Sequence, residues 1–275
     1  MSITPAADEL DASRSIVRAA EEGGLDLVGI QDHPYQRRFL DTMALIATLL
    51  AETERVRFFP DVANLPLRPP AMLAKAAATM DRLSGGRFEL GLGAGASAER
   101  AATMGGPARS PGEAVDALEE AIEVIRLAWS EEEKVSFAGQ HYSLDGYEPG
   151  PPPAHRIEIW VGAYKPRMLG LTGRLADGWI PSFGYLKPDR LSEAQARIDE
   201  AAVSRGRDPA SVRRAYNFGA LDGPVEGWTD TLTGWATELG LDTFVLWPSD
   251  AAQVERFAAQ VVPALREAAG EQQPG

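Results

Sequence analysis

The chain has 275 residues, 27 of them basic and 40 acidic, and its net charge of −13 excludes the clustered positive charge with which proteins bind nucleic acid. It contains no cysteine, which excludes disulfides, thiolate nucleophiles and cysteine-ligated metals and fits a cytoplasmic protein. The segment Met1–Arg14 lacks the basic and apolar regions of a secretory signal, and no apolar stretch approaches the ~20 residues that cross a bilayer, so we expect no membrane partner.

Short β-branched runs alternate with longer amphipathic segments, which is the pattern of parallel βαβ units. In the first third of the chain the pattern predicts a short first strand at Ser2–Thr4, a helix over Asp8–Glu22, a strand at Leu27–Gln31, a helix over Phe39–Glu52, a strand at Arg55–Phe59, a helix from Pro69 to Leu83 and a strand at Phe88–Leu92. Pro69 and Pro70 suit a first helical turn, because that turn does not need the N–H that proline lacks.

The same alternation continues to the end of the chain. The clearest helix is Gly112–Trp129, whose apolar residues recur at helical spacing opposite a face of carboxylates. The remaining predicted elements are a hairpin around Phe137–Leu144, strands at Ile157–Gly162, Gly178–Pro181, Arg213–Phe218 and Thr243–Trp247, and helices over Pro166–Leu175, Lys187–Ser204, Gly227–Leu239 and Ala251–Ala268. Eight βα units in a row predict an α/β fold, a single-domain (β/α)8 (TIM) barrel with a short first strand. It is expected to span residues 1–269 and to end in a frayed tail at 270–275.

The active site of such a barrel forms at the C-terminal ends of its strands. Small residues, amides and aromatics dominate these ends here, which suits a planar ligand across the barrel mouth. His33 is the one histidine of three that follows a strand, so a metal site is not predicted. Its ring could bond the turn, or serve as a donor or as a proton relay with Asp32. Asp32 and Asp61 are the best carboxylate pair for a cofactor-free hydrolase, which stays open as an alternative.

A phosphate site is indicated where the predicted strand 157–162 gives way to a helix that opens at Pro166. Lys165 and Arg167 lie at the positive end of that helix dipole with no acid beside them in the sequence. A bound phosphate would accept helix N–H bonds and meet both cations. The alternative is that both side chains point into water.

Five segments resemble the bacterial-luciferase-like oxidoreductases. They are Leu27–Tyr35 (LVGIQDHPY), Val62–Arg87 (VANLPLRPPAMLAKAAATMDRLSGGR), Leu90–Ala96 (LGLGAGA), Ile159–Arg167 (IWVGAYKPR) and Gly173–Pro181 (GRLADGWIP). The resemblance runs from about Asp8 to Ser249. It implies a (β/α)8 barrel that binds FMN or the deazaflavin coenzyme F-420, commonly as a homodimer.

The resemblance also assigns roles to residues of this sequence. It implies His33 as the catalytic residue against the flavin. The implied cofactor-binding residues are Asp61, Val62, Ala63 and Asn64, where relatives often hold a non-proline cis peptide behind the ring, then Gly93, Ala94, Gly95 and Ala96 over the ring, and Gly162, Ala163, Tyr164, Lys165, Pro166, Arg167 and Met168 around the phosphate. Deazaflavin-dependent sugar dehydrogenases of the family carry a glutamate where Ala96 and Ser97 stand here, so a sugar phosphate is not the expected substrate.

Together these observations predict a flavin- or deazaflavin-dependent oxidoreductase or monooxygenase acting on a small organic molecule. The cofactor ring would carry the redox chemistry, while the protein positions it and supplies His33. The segments LPLRPP and DHPY favour the deazaflavin branch by resemblance. A flavin-binding barrel without catalysis, and the hydrolase that uses Asp32 and Asp61, are the alternatives.

Overall fold

Eight parallel strand positions form the inner wall of the protein in the computed structural model, which describes residues 1–268 and 270. The strands are β1 (Ser2–Ile3), β2 (Leu27–Ile30), β3 (Arg57–Pro60), β4 (Ala63–Asn64), β5 (Leu90–Gly93), β6 (Val135–Ala138), β7 (Ser143–Tyr147), β8 (Ile159–Val161), β9 (Gly178–Trp179), β10 (Arg213–Phe218) and β11 (Thr243–Leu246). β1, β2 and β3 pair in order, and β4, β5, β8, β9, β10 and β11 form a second run of neighbours. A parallel bridge from Phe58 to Phe88 joins the two runs. With β3 and β4 sharing the third position, the order is that of the predicted (β/α)8 barrel, and the first strand is short as predicted.

The helices follow strands of the wall in chain order, and the last two come after β11. They are α1 (Leu10–Glu22), α2 (Thr42–Glu52), α3 (Pro70–Ser84), α4 (Ala98–Thr103), α5 (Pro111–Ala128), α6 (Pro166–Leu175), α7 (Leu191–Ser204), α8 (Trp228–Leu239), α9 (Ala251–Gln260) and α10 (Val262–Ala268). The predicted hairpin is present as the antiparallel pair β6–β7. The barrel boundary at residue 269 stays a prediction, and the predicted tail lies outside the described residues except for Gly270.

Two helices differ from the sequence-based expectation. α4 was not predicted, because its six residues are too few to show an amphipathic period; Ser97 caps it by accepting a hydrogen bond from the backbone N–H of Arg100 at 3.3 Å. The predicted helix over 251–268 is broken at Val261 into α9 and α10. Pro263 lies just beyond the break, and its ring supplies no N–H to continue the hydrogen-bond ladder.

Close packing of backbones around β5 brings the strand ends together at the barrel mouth. A Cβ atom at Gly91 would collide with the carbonyl oxygen of Pro60, so only glycine lets β3 and β5 approach this closely. At the opposite end of β5, His155 lies between Asp81 (Nδ1 to Oδ1, 2.7 Å) and Glu89 (Nε2 to Oε1, 3.1 Å). This ion cluster is therefore on the face away from the predicted site.

Candidate cofactor-binding and active site

His33 follows β2 at the barrel mouth, and its ring is held by a neighbouring tyrosine. Nδ1 lies 3.0 Å from the hydroxyl oxygen of Tyr35, and the two rings stack with centroids 5.5 Å apart. Partial burial lowers the pKa of His33, and the Arg100 cation lowers it further, while the Asp32 carboxylate acts in the opposite direction. The imidazole is therefore neutral at pH 7, with Nε2 left for a ligand.

Asp32 is engaged by an arginine. Its carboxylate accepts two hydrogen bonds from the guanidinium of Arg68, at 2.6 and 2.7 Å, and one from the backbone N–H of Asn64 at 2.8 Å. Asp32 is 1% exposed, and Arg68 extends to Asp41, the N-cap of α2, at 2.8 Å. This arrangement clamps the segment after β4 onto the end of β2. These contacts indicate a structural role for Asp32 and leave it no role as a proton relay to His33.

The peptide bond between Asp61 and Val62 is cis, as the family resemblance implies. Oδ1 of Asp61 accepts a hydrogen bond from Nδ2 of Asn217 at 3.0 Å, and Oδ1 of Asn217 accepts one from the indole N–H of Trp247 at 3.3 Å. Burial raises the pKa of Asp61. Asp61 therefore faces the barrel interior, and the Asp32–Asp61 pair lacks the two free carboxyl groups that a hydrolase requires.

Val62 forms an apolar floor at the barrel mouth. A Cβ atom at Gly93 would lie 2.7 Å from its Cγ2, and one at Gly162 would lie 3.4 Å from the same atom. The side chain of Val62 is partly exposed, whereas the flanking Asp61 and Ala63 are buried. The lack of side chains on the two glycines leaves space above this floor for a flat ring.

Asn64 offers a polar group beside this floor. The residue is 3% exposed, and its Oδ1 is buried without a hydrogen-bond partner in the described part of the chain. An unpaired buried acceptor is costly, which indicates a donor on a ligand. The imide N–H of a flavin or deazaflavin ring is such a donor, so the floor and this acceptor together fit the flat polar ring of either cofactor.

The remaining predicted cofactor-binding residues between β3 and α4 are divided between the barrel wall and the surface above the mouth. Ala63 pairs with Leu92 inside the barrel wall, and Ala94 packs against the core. Gly95 and Ala96 are exposed above the mouth, and Gly95 has a φ of +101°, where a side chain would be strained and would also meet Pro66.

The predicted phosphate segment runs from the end of β8 into α6, which begins at Pro166 as expected. Ala163 is buried and its carbonyl oxygen accepts the indole N–H of Trp179 at 2.9 Å, and Met168 packs against the core. Tyr164, Lys165, Pro166 and Arg167 are exposed. Among the described residues, Lys165 forms no ion pair, and its amine lies 5.9 Å from the centroid of the Tyr164 ring.

No acid lies beside Arg167 in the sequence, but the expectation that its charge is unpaired is wrong. Its guanidinium lies 2.5 Å from Oδ1 of Asp116, on α5, and 3.3 Å from the carbonyl oxygen of Gly112. The acid comes from a neighbouring helix 51 residues away along the chain, which the local sequence does not reveal. Lys165 and the N-terminal backbone N–H groups of α6, which has no side-chain cap, therefore remain as the candidate phosphate-binding features, and Arg167 is partly neutralised.

Sequence reasoning named Tyr164 but missed the aromatic and cationic rim above the site to which it belongs. Tyr164 and Tyr185 stack with centroids 5.3 Å apart and planes 9° apart. The guanidinium of Arg100, on α4, lies 5.7 Å from the centroid of the Tyr35 ring, and the amine of Lys187 lies 3.6 Å from that of Phe183. The only sequence signal for this rim is that each of these residues falls shortly after a strand.

A cavity of about 660 Å³ lies at the other end of the barrel. Its charged walls are paired with each other, as Arg213 is with Glu158 at 3.2 Å and Arg57 with Glu89. No group of three or more metal-ligating acids or histidines occurs in residues 1–268 and 270. No helix in the same part of the chain has the length and apolar character to cross a bilayer.

The model of the luciferase-like monooxygenases matches residues 1–221, and the chain therefore belongs to this family of oxidoreductases. A phthiodiolone/phenolphthiodiolone dimycocerosates ketoreductase of Mycobacterium tuberculosis is 37% identical over 172 residues, which are 62% of this chain and 44% of that protein.

Solved structures share the fold. An F-420-dependent secondary alcohol dehydrogenase in complex with an F-420–acetone adduct matches with a TM-score of 0.80 at 20% identity, covering 96% of this chain and 98% of that one. A riboflavin lyase with modified FMN and riboflavin matches with a TM-score of 0.86 at 16% identity, covering 99% and 92%. These similarities confirm the predicted (β/α)8 barrel.

Proposed function

We propose that the protein is a deazaflavin-dependent oxidoreductase that interconverts a secondary alcohol and a ketone. The observation that carries the proposal is the pair formed by His33 and Tyr35 at a barrel mouth whose floor is apolar. The similarity to a ketoreductase and to an F-420-dependent secondary alcohol dehydrogenase supports it. The residues that would hold the ring are Val62, Gly93, Gly162 and Asn64, and Lys165 with the N-terminus of α6 would hold the phosphate.

When bound, a deazaflavin supplies the two-electron chemistry, accepting the hydride of a carbinol C–H bond or returning it to a carbonyl carbon. The protein manages the proton that accompanies the hydride. In the oxidation direction, Nε2 of His33 accepts the hydroxyl proton of the alcohol, and in the reduction direction the imidazolium returns a proton to the carbonyl oxygen.

Tyr35 allows His33 to work in both directions. Its hydroxyl accepts a hydrogen bond from Nδ1–H both when the neutral ring acts as the base through Nε2 and when the imidazolium acts as the acid. Burial raises the pKa of Tyr35, so this hydroxyl keeps its proton over the working pH range. The lowered pKa of His33 favours its neutral form at pH 7, which is the form needed for alcohol oxidation.

The test is turnover with a secondary alcohol deuterated at the carbinol carbon. We expect the deuterium to appear on the reduced F-420, with the ketone formed in equal amount. Replacing His33 by glutamine should lower kcat by roughly 10²–10⁴-fold, the usual contribution of a general base. Deazaflavin binding without deuterium transfer from any secondary alcohol would favour the barrel without catalysis and contradict the proposal.

FMN would lie on the same floor, and FMN-dependent monooxygenation is the second candidate, favoured by membership of the family. Oxygen consumption by the protein with reduced FMN, coupled to oxygenation of an organic substrate, would identify it. A small-molecule substrate, a homodimer and a cytoplasmic location remain predictions of the sequence.

A further inference from the structure

We infer that the substrate of this site is an aryl ketone, or the corresponding alcohol, that carries a carboxylate. The inference rests on the proposed function and adds the chemical class of its substrate. It is based on five residues of the rim above the site, Tyr35, Arg100, Tyr164, Tyr185 and Lys187. Of these five, only Tyr164 is among the residues that the family resemblance assigns to the cofactor.

The rim exposes aromatic surface to solvent. Tyr164 is 46% exposed and Tyr185 is 71% exposed, although each is stacked on the other. Both follow strands, Tyr164 after β8 and Tyr185 after β9, so the stack stands at the end of the barrel where the cofactor floor lies. Parallel stacked rings present an edge and an outer face on which another aromatic ring can pack, with centroids roughly 4.5–7 Å apart.

The tyrosine stack and the catalytic pair lie at the same end of the barrel. Tyr35 follows β2, as Tyr164 follows β8 and Tyr185 follows β9, and the hydroxyl oxygen of Tyr35 lies 3.0 Å from Nδ1 of His33. A ring packed on the stack would therefore lie at the barrel mouth that holds His33. A carbonyl attached to that ring would suit this arrangement, because a short aryl ketone places its reacting carbon next to its ring.

The rim also concentrates positive charge in an acidic protein. In the described part of the chain, Arg100 and Lys187 form no ion pair, and neighbouring Glu99 does not pair with Arg100 either. The chain has a net charge of −13, and most of its other arginines form ion pairs with carboxylates. A free cation over the face of Tyr35 raises the local concentration of anions at the mouth.

Arg100 selects the kind of anion. Lys165 and the N-terminus of α6 are already assigned to the cofactor phosphate, and the amine of Lys187 lies over the ring of Phe183. The guanidinium of Arg100, over the ring of Tyr35, is therefore the cation beside the catalytic pair that is left for the substrate. A guanidinium binds a carboxylate through two parallel hydrogen bonds, which gives orientation as well as charge. The guanidinium lies 5.7 Å from the centroid of the Tyr35 ring, which stacks on that of His33, so a bound carboxylate would lie near the reacting group.

The experiment compares 4-acetylbenzoate with 4-acetylbenzamide, which has the same shape without the charge, and with the aliphatic ketone 2-butanone. Dissociation constants are measured by calorimetry on the full chain, with and without F-420, so that binding is read independently of turnover. We expect 4-acetylbenzoate to bind about tenfold more tightly than the benzamide, and 2-butanone to bind more weakly than either.

Matched variants assign the preference to the rim. In Arg100→Gln, the ratio of the two aryl dissociation constants should fall from about ten to near one. In Arg205→Gln, which removes an exposed arginine after α7 that has no ion pair in the described chain, the ratio should stay at about ten. Tyr185→Leu should weaken both aryl compounds several-fold, whereas Tyr185→Phe retains the ring and should retain their binding.

The outcomes separate this inference from the proposed function. If F-420 binds and secondary alcohols are oxidised but the benzoate and benzamide bind equally, the substrate class is wrong and the proposed function stands. The inference is also overturned if Arg205→Gln and Arg100→Gln lower the preference for the benzoate equally. Such a result would mean that the total charge of the protein, and not Arg100, causes the preference. If F-420 does not bind, both are overturned.

Discussion

Replacing Asp32 by asparagine tests whether this buried carboxylate is structural or catalytic. The change removes the negative charge that faces the guanidinium of Arg68 while keeping the shape of the side chain. Removing one partner of a buried ion pair costs roughly 3–5 kcal/mol. Arg68 retains Asp41, and the new amide oxygen still accepts the N–H of Asn64. We therefore expect the free energy of unfolding to fall by about 2–3 kcal/mol.

The assay is thermal unfolding together with cofactor binding. A loss of this size corresponds to a fall in Tm of about 4–12 °C for a chain of this length. The Arg68→Met variant completes a double-mutant cycle. If the two side chains stabilise each other, Asp32→Asn should lower the free energy of unfolding less in the Arg68→Met background than in the parent protein. An Asp32→Asn variant that unfolds at the parent temperature but has lost all activity would refute this reasoning. It would favour the hydrolase alternative, in which Asp32 is catalytic.

Three further changes probe the site. Below the lowered pKa of His33, kcat/KM for alcohol oxidation should fall about tenfold per pH unit, because protonation removes the base, whereas ketone reduction should not fall; a pH profile in both directions measures this. Gly93→Ala places a Cβ 2.7 Å from Cγ2 of Val62, so it should weaken F-420 binding by about tenfold or more, as a fluorescence titration would report. Lys165→Ala should weaken F-420 more than Arg167→Ala does and should leave a deazaflavin that lacks the phosphate unaffected; equal effects on both ligands would contradict the phosphate assignment.

Local sequence signals predicted the elements whose causes are themselves local. Pro166 sets the start of α6, and the predicted and observed limits of this helix agree. The predicted strand Arg213–Phe218, which contains the aromatic residues Tyr216 and Phe218, is observed as β10 with the same limits. The place of His33 at the barrel mouth follows from the strand that precedes it, because parallel strands of a barrel end on one face.

Contacts between distant segments could not be predicted in this way. Arg68 reaches Asp32 across 36 residues, and Arg167 reaches Asp116 across 51, so neither the structural role of Asp32 nor the partial neutralisation of Arg167 is visible in the sequence around it. The stack of Tyr164 on Tyr185, which follows the next strand, is likewise a contact between distant segments. These pairings depend on which strand ends become neighbours, which is fixed only when the barrel has formed.

Direct titration with F-420, FMN and FAD tests the central claim, that the floor around Val62 holds a deazaflavin. Tryptophan fluorescence follows the binding, since the indole of Trp247 is hydrogen-bonded to Asn217 at the mouth. The account predicts saturable binding of F-420 in preference to FMN and FAD, with stabilisation of about 2.7 kcal/mol at 100 times the Kd. Saturable binding of FMN with none of F-420 would contradict the deazaflavin assignment, and failure of all three to bind would contradict the oxidoreductase assignment as well.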